Sequence, residues 1–206
     1  IVKSAVMKDK DVHIIHPCIN TKIFRPMEKK IARDLFFLPK NKKLILFGAV
    51  HSTSDPRKGY KYLIEALQNL ENKVKQKDEF ELVVFGATNS RLSEHLKIKV
   101  HYLGRLKSGY GLHDDASLAA LYSLADVTIV PSLQEAFGQV AIESMACGTP
   151  AIGFSETGLE DIISHKIDGY LVNRDSLNDL SKGIQWILEH SNYNQLSSLA
   201  SEKIKN

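Results

Sequence analysis

The sequence predicts an α/β protein with a Rossmann-like, doubly wound parallel sheet. Short apolar runs, many of them β-branched, alternate along the chain with segments of helical periodicity. The runs are almost continuously apolar, as strands are when helices cover both faces of a parallel sheet. No hairpin signal occurs between them. We therefore predict one doubly wound domain over residues 26–206, with residues 1–25 as an added segment at its edge.

Each element follows from its local pattern. Three predicted strands close on a glycine, at Gly48, Gly86 and Gly104, where the chain can turn sharply. The predicted strands are Val12–Ile15, Lys43–Gly48, Phe80–Gly86, Lys99–Leu103, Val127–Val130, Ala151–Ile152 and Tyr170–Val172. The predicted helices are Glu28–Leu35, Tyr60–Leu70, Arg91–Leu96, Ser117–Ala125, Val140–Cys147, Gly158–Ser164, Leu177–Leu188 and Tyr193–Ile204.

Composition and charge narrow the class of protein. With 206 residues, 43% hydrophobic and 25% charged, the chain has the make-up of a globular domain. Its net charge of +3 is spread among many acids, so no nucleic-acid partner is predicted, while a basic face toward anionic lipid or a phosphorylated ligand stays open. Cys18 and Cys147 form no CxxC pair, and neither a metal site nor a disulfide framework is expected.

The cellular location is predicted from the cysteine spacing and from the lack of a membrane-spanning run or a signal peptide. Two widely separated cysteines are typical of a reducing compartment, and no apolar run reaches the ~18 residues that span a bilayer. Ile1 opens the chain without a start methionine or a signal peptide, so we expect a fragment of a longer protein. We predict a cytoplasmic protein, with peripheral association at the inner face of a membrane as an alternative for the full-length protein.

The segment Val127–Phe154 contains strand, loop, helix and strand in succession, which indicates a βαβ unit. Ligands bind at the carboxyl ends of such strands, where its loop must lie. Glu135 stands in that loop and Glu143 in the helix, with seven residues between them. Ionised carboxylates only accept hydrogen bonds, which suits the paired hydroxyls of a sugar. We therefore predict that the two acids hold a nucleotide sugar.

Two details of this segment bear on that prediction. Phe137, Gly138 and Gln139 open the helix and offer backbone N–H groups to a sugar or phosphate oxygen. The alternative for Glu143 is a helix acid that merely faces solvent. Its apolar neighbours indicate a helix packed into the core, where an unpaired carboxylate would be costly.

Arg57 and Lys58 precede the predicted helix at Tyr60, in a loop that follows a strand. Two cations beside a helix N-terminus form a natural phosphate clamp, because the helix dipole and the side chains both favour an anion there. The alternative is a solvated basic turn. Position favours the clamp, since this loop and the Glu135 loop should emerge at the same edge of the sheet.

These residues resemble a known family. The run PSLQEAFGQVAIESMACGTPAIGF is similar to the donor-binding signature of retaining glycosyltransferases of family 4, the group 1 enzymes with the GT-B fold. HPCINTKIFRP resembles the family's interdomain segment, RKGYKYLIEAL its lysine-bearing helix, and VHYLGRL the strand before its base-binding loop. The resemblance covers nearly the whole chain, and the segment up to Ser54-Asp55-Pro56 is also similar to bacterial enzymes that build surface polysaccharides.

The resemblance implies roles for single residues. Lys58, with Arg57, would bind the donor diphosphate, and Glu143 would accept hydrogen bonds from the ribose hydroxyls. Glu135 would contact the transferred sugar near its anomeric carbon, so that Glu135 and Lys58 are the expected catalytic residues. Binding of the sugar and the base would fall to the backbone of Phe137, Gly138 and Gln139 and to the backbone near Arg105.

The implied reaction moves a hexosyl-type sugar from a UDP- or GDP-linked donor to an acceptor hydroxyl, with retention, in polysaccharide or glycolipid biosynthesis. No metal or other cofactor is expected, because cationic side chains and a helix N-terminus would offset the diphosphate charge. The acceptor glycan or glycolipid would bind an N-terminal domain that is absent from this chain. The chain is thus expected to be the C-terminal half of a GT-B fold, which binds a nucleotide but is inactive in transfer by itself.

Alternatives of two other classes remain. One is a nucleotide-sugar epimerase or a phosphorylase that shares the GT-B architecture, and the other is a non-catalytic nucleotide-binding module. One departure from the family concerns its usual phosphate-binding arginine after the first glycine-terminated strand, since Ala49 follows Gly48 here. Arg57 or His51 is expected to replace it. For His51, His101 and His113, all near the predicted ligand edge, a structural role is expected before a catalytic one.

Overall fold

The computed structural model describes residues 18–48, 53–73, 80–104, 115–173 and 176–205. Its centre is a six-stranded parallel sheet with the order β3-β2-β1-β4-β5-β6. The strands are β1 (Lys43–Gly48), β2 (Phe80–Phe85), β3 (Val100–Tyr102), β4 (Val127–Val130), β5 (Ala151–Phe154) and β6 (Tyr170–Val172). Every pairing is parallel, so the predicted Rossmann-like, doubly wound fold is confirmed.

The helices agree with the predicted periodicity, apart from two short ones. They are α1 (Lys29–Leu35), α2 (Tyr60–Lys73), α3 (Asp115–Leu124), α4 (Gln139–Ala146), α5 (Leu177–Leu188) and α6 (Tyr193–Lys205). The short helices predicted at 91–96 and 158–164 are present as 3₁₀ helices, at Arg91–His95 and Gly158–Asp161. Such short pieces close only a turn or so and bond i to i+3. The strand predicted at Val12–Ile15 lies outside the described residues.

Both faces of the sheet are covered by helices. Along β1, Ile45 and Phe47 pack into the core cluster that contains the buried residues of α2 and α5. Leu44 and Leu46 point the other way, into the cluster formed with α1 and α3. Successive strand residues face opposite sides of a sheet, so a strand buried on both sides has to be apolar throughout. This explains the unbroken apolar runs in the sequence.

The strand order reverses direction between β1 and β4. The chain builds outward from β1 to β2 and β3, and then returns to the other side of β1 to place β4, β5 and β6. β1 and β4 are neighbours in register, with Leu46 opposite Thr128. Connections leave such a pair in opposite directions, which opens a crevice at the carboxyl ends of the two strands.

The amino ends of the same two strands are closed by a buried ion pair. Arg33 Nη2 lies 2.7 Å from Asp126 Oδ2, and the amide of Leu44 donates to that same oxygen at 2.7 Å. Lys29 Nζ reaches the other carboxylate oxygen at 2.8 Å. The Arg33 guanidinium also donates to four backbone carbonyl oxygens, those of Leu124, Pro39, Lys40 and Lys42. The pair therefore joins α1 to the starts of β1 and β4 with its polar atoms satisfied.

None of the helices in the described part of the chain is long and apolar enough to cross a bilayer.

Asp126→Asn is expected to lower the free energy of unfolding by about 3–5 kcal/mol, because it leaves the buried Arg33 guanidinium without its counter-charge. The measurement is urea denaturation followed by circular dichroism. Asp34→Asn is the matched control, since its ion pair with Lys40 is exposed and should contribute less than about 1 kcal/mol. Equal losses for the two variants would contradict a special role for the buried pair.

Candidate functional site

A cleft lies at the reversal point of the sheet, at the carboxyl ends of β1 and β4. It opens to solvent, and its free space, part of which is bulk solvent, is about 240 Å³. The strands contribute their last residues, and the loops that follow them contribute Lys58 and Glu135. The lining is completed by Phe47, Gly48, Ile129, Val130, Pro131, Ser132 and Val140. The predicted meeting of the two loops at one sheet edge is therefore observed.

The two loops touch backbone to backbone. The amide of Leu133 donates to the carbonyl oxygen of Arg57 at 2.9 Å. Gly59 has a left-handed φ of 71°, and a Cβ atom placed there would lie 1.8 Å from the carbonyl oxygen of Pro131. Only glycine combines this φ with such a close approach. The contact holds the loop after β1 against the loop after β4.

Lys58 and Glu135 face each other across this contact. Lys58 Nζ lies 3.6 Å from Glu135 Oε2, and Glu135 Oε1 accepts a hydrogen bond from the amide of Gly138 at 3.2 Å. Both side chains are partly exposed, so the pair is accessible from the cleft. A cation, a carboxylate and the first turn of α4 thus converge at one place.

The Glu135 loop is fixed from its other side as well. The amide of Gly158 donates to the carbonyl oxygen of Glu135 at 2.9 Å. A Cβ atom at Gly158 would meet the carbonyl oxygen of Ala136 at 2.3 Å, so the 3₁₀ turn beginning at Gly158 lies directly against this loop. The Glu135 loop is therefore held between the loop after β1 and the 3₁₀ turn that begins at Gly158. The sequence pattern predicted only the first of these two contacts.

Arg57 is placed differently from its neighbour Lys58. Its guanidinium binds Asp55, with Nε 3.1 Å from Oδ1 and Nη2 2.8 Å from Oδ2. The side chain is 72% exposed and does not line the cleft. Asp55 also caps the 3₁₀ turn Pro56–Lys58 by accepting from the Arg57 amide at 2.9 Å. The structure therefore brings only one of the two predicted phosphate-binding cations to the cleft.

α4 begins beside Glu135. Gly138 is its N-cap, with a φ of 91°, and a Cβ atom there would lie 2.4 Å from Leu159 Cδ2. Gln139, the first helical residue, donates from Nε2 to Glu143 Oε1 at 2.9 Å. Phe137 is partly buried and packs against the cluster that contains Leu159. The FGQ run thus positions the helix start.

Glu143 is held by a residue that sequence reasoning missed. Tyr122, on α3, donates its hydroxyl to Glu143 Oε2 at 2.7 Å. Tyr122 is only 1% exposed. Burial, and then the nearby Glu143 carboxylate, raise the pKa of the Tyr122 hydroxyl well above its ordinary value, so it remains a donor. A tyrosine within the apolar run Leu118–Leu124 was the available signal, because a buried hydroxyl needs a partner.

The remaining predicted residues have separate outcomes. Arg105, His51 and His113 lie outside the described residues. His101 Nε2 lies 2.5 Å from Glu81 Oε2 on the adjacent strand, which is the structural role expected for it. Gly86 and Gly104 follow β2 and β3 with positive φ, and the Gly86 amide donates to the Gly104 carbonyl oxygen at 2.7 Å. Within the described ranges, no group of three or more His, Cys, Asp or Glu residues could hold a metal ion.

Residues 29–204 match the sequence family described as Glycosyl transferases group 1. The chain belongs to this family. The resemblance carried by the PSLQEAFG segment is thereby confirmed at the level of the family. The match includes the cleft and the described elements from α1 to α6, up to the residue before the last one of α6.

The proteins to which this group 1 domain is similar are longer than the chain itself. A D-inositol 3-phosphate glycosyltransferase of Thermobispora bispora is 31% identical over 172 residues, which is 79% of this chain and 39% of that protein. A sucrose-phosphate synthase of Thermosynechococcus elongatus has 29% identity and a TM-score of 0.74, covering 92% of this chain and 47% of that one. The chain therefore spans about two fifths of the length of the curated relatives it matches.

A third protein supports the fold. The Anabaena protein HepE, whose structure was solved in complex with UDP and glucose, superposes with a TM-score of 0.75 at 18% identity, over 94% of this chain and 52% of that one. Together with the parallel sheet, this agrees with the predicted GT-B half.

Gly59→Ala is expected to lower the free energy of unfolding by about 2–4 kcal/mol, because the new methyl group combines left-handed strain with overlap of the Pro131 backbone. Gly104→Ala is the matched control. Its φ of 66° is also left-handed, but the nearest atom to an added Cβ is Thr88 Cγ2 at 3.8 Å, so only strain of about 1 kcal/mol is expected. Thermal denaturation of both variants measures the difference, and equal losses would contradict the loop contact.

Proposed function

We propose that this domain binds the nucleotide-sugar donor of a glycosyltransferase, which transfers the sugar from a UDP or GDP leaving group to an acceptor hydroxyl. The observation that carries the proposal is the position of Lys58 opposite Glu135, beside the start of α4, at the reversal point of the sheet. This is the place where doubly wound folds bind nucleotides.

Lys58 is the group proposed to bind the donor diphosphate. Its ammonium group faces Glu135 at 3.6 Å, a distance longer than a direct hydrogen bond. A diphosphate carries more negative charge than one carboxylate, so it should draw the ammonium group away from Glu135. The N-terminus of α4 adds a favourable dipole at the same place. Arg57 is not included, because Asp55 holds it outside the cleft.

Glu143 is proposed to accept hydrogen bonds from the ribose hydroxyls. Each of its oxygens already receives one donor, from Tyr122 and from Gln139. A carboxylate has about four lone-pair sites, so two acceptor positions stay available. The two existing donors fix the orientation of the carboxylate before the nucleotide arrives, which reduces the entropy that binding would otherwise cost.

Glu135 and Lys58 are proposed to stabilise the transition state. As the bond from the anomeric carbon to the diphosphate breaks, positive charge develops on the sugar and negative charge on the leaving oxygen. A carboxylate near the first and an ammonium group near the second offset both charges. Retention of configuration and a hexosyl donor are the outcomes that the family resemblance favours. The acceptor, a glycan or glycolipid hydroxyl, would bind to another part of the full-length protein.

Calorimetry of the 206-residue chain with UDP, GDP and UDP-glucose tests donor binding. UDP is the first probe because the Anabaena neighbour was solved with it. We expect binding of one nucleotide, weakened about tenfold or more by Lys58→Met and by Glu143→Gln, since each removes a charged hydrogen-bonding partner. Arg57→Met, the neighbouring cation outside the cleft, should change the affinity less than about threefold.

Three results would contradict these assignments. Failure to bind any nucleotide would overturn the donor site, and a larger loss from Arg57→Met than from Lys58→Met would exchange the roles of the two cations. Sugar transfer by the chain alone, with UDP-glucose and an added glycan acceptor, would contradict the separate location of the acceptor site.

Tyr122→Phe is expected to weaken UDP binding roughly fivefold to tenfold, because Glu143 loses one of the two donors that orient it. The unfolding free energy should change by only about 1 kcal/mol, since the ring is retained. Tyr193→Phe is the matched control. It removes another partly buried tyrosine hydroxyl, which donates to the Asp126 carbonyl oxygen at 2.8 Å at the opposite edge of the sheet. Equal affinities for wild type and Tyr122→Phe would show that Glu143 needs no orienting donor.

A further inference from the structure

One part of the protein surface carries an unusual concentration of exposed apolar side chains. Of the seven large hydrophobic side chains that are exposed in the described part of the chain, five lie between residues 23 and 37. Ile31 and Leu35 are four residues apart on α1 and therefore share one helix face. We call this the α1 surface, and it consists of Ile23, Met27, Ile31, Leu35 and Phe37. Clusters of this kind on a protein surface usually mark an interaction site.

Phe37 is the most unusual member of the α1 surface. Two backbone hydrogen bonds close the last turn of α1. The Phe37 amide donates to the Asp34 carbonyl oxygen at 3.1 Å, and the Leu38 amide donates to the Arg33 carbonyl oxygen at 2.9 Å. This is a Schellman motif, whose left-handed position is usually glycine. Phe37 occupies it with a φ of 54°.

The strain at Phe37 is not compensated by packing. Its side chain is 96% exposed, so the ring contributes almost nothing to the core. A strained residue that gives the fold no stability is evidence of a role outside the fold. An exposed aromatic ring at the end of a helix is well suited to enter another apolar phase.

The charged residues around the α1 surface indicate which apolar phase it would enter. Between residues 22 and 40, which include the residues flanking the α1 surface, four basic residues are exposed, namely Lys22, Arg25, Lys30 and Lys40, against two exposed acids, Glu28 and Asp34. Asp34 is already paired with Lys40 at 2.6 Å. The surface is therefore apolar with a basic margin. A second copy of the same surface would bring like charges together, whereas anionic headgroups would complement them.

The α1 surface and the cleft lie at opposite edges of the sheet. Arg33, on the buried side of α1, binds Asp126 and the carbonyl groups that precede β1, all at the amino ends of the strands. The cleft is at the carboxyl ends. A partner on the α1 surface would therefore leave the cleft open to its ligand.

We propose that the α1 surface docks on an anionic lipid bilayer. Ile31, Leu35 and Phe37 would enter the boundary between headgroups and acyl chains, and Arg25 and Lys30 would face the lipid phosphates. Apolar side chains beside a basic margin are what interfacial membrane segments use, since buried apolar area and attraction to anionic lipid add together. This locates a membrane contact on a particular helix and does not depend on the function proposed for the cleft.

Sedimentation with lipid vesicles tests the proposal. The 206-residue chain should pellet with vesicles of phosphatidylglycerol and phosphatidylethanolamine, and much less with phosphatidylcholine. Phe37→Gly should weaken binding to the anionic vesicles roughly tenfold or more, because it removes the ring. The fold should be kept, since glycine is the residue that this turn prefers. Lys30→Gln should weaken binding roughly fivefold on anionic vesicles only.

Ile167→Ser is the matched control, because Ile167 is a 58% exposed apolar residue elsewhere on the molecule. It should bind vesicles like the wild type. Failure of the wild type to bind anionic vesicles, or binding that Phe37→Gly leaves unchanged, would overturn the proposal. So would a dimer, detected by light scattering, that Phe37→Gly dissociates. UDP affinity measured in parallel should be unaffected by Phe37→Gly, which separates this result from any failure at the cleft.

Discussion

The cleft depends on the contact between Gly59 and the Pro131 backbone. The two loops that meet there follow β1 and β4, whose crossovers run to opposite sides of the sheet. Nothing in the strands themselves would hold these loops together. The absence of a side chain at Gly59, and the hydrogen bond from Leu133 to Arg57, let one backbone rest on the other. Lys58 and Glu135 face each other because this contact fixes the backbone beneath them.

At the amino ends of β1 and β4, an ion-pair network holds the chain segments together, whereas a close backbone contact does so at the carboxyl ends. At the amino ends, Asp126 joins Arg33, Lys29 and the start of β1 in a buried network with its donors satisfied. The Arg33 and Asp126 side chains at its centre are buried, whereas Lys58 and Glu135 are both partly exposed. One edge of the sheet is thus sealed for stability, and the other keeps a cation and a carboxylate available. This division also gives α1 a firmly anchored inner face and an outer face that is open to partners.

Sequence patterns predicted the sheet well because burial on both faces leaves a strong signal, the unbroken apolar run. At residues 91–96 and 158–164 they predicted short helices but not the helix type, which is 3₁₀ in the structure. Pieces this short are decided by their neighbours, as Gly158 shows by lying against Ala136. In the site, the spacing of Glu135 and Glu143 indicated a pair of ligand-facing acids. It carried no trace of Tyr122, which comes from a different helix and meets Glu143 only in the folded chain.

The sequence by itself determined the α/β class, the alternation of elements, the glycine turns and the family, because these depend on local composition and short spacings. Only the tertiary structure decided which of the two adjacent basic residues lines the cleft. Arg57 and Lys58 are equivalent as sequence, but Asp55 binds the first outside and the second turns toward Glu135. The same holds for Phe37, since exposure and a left-handed turn are properties of the fold. Side-chain direction depends on contacts between distant segments, and a linear pattern does not contain them.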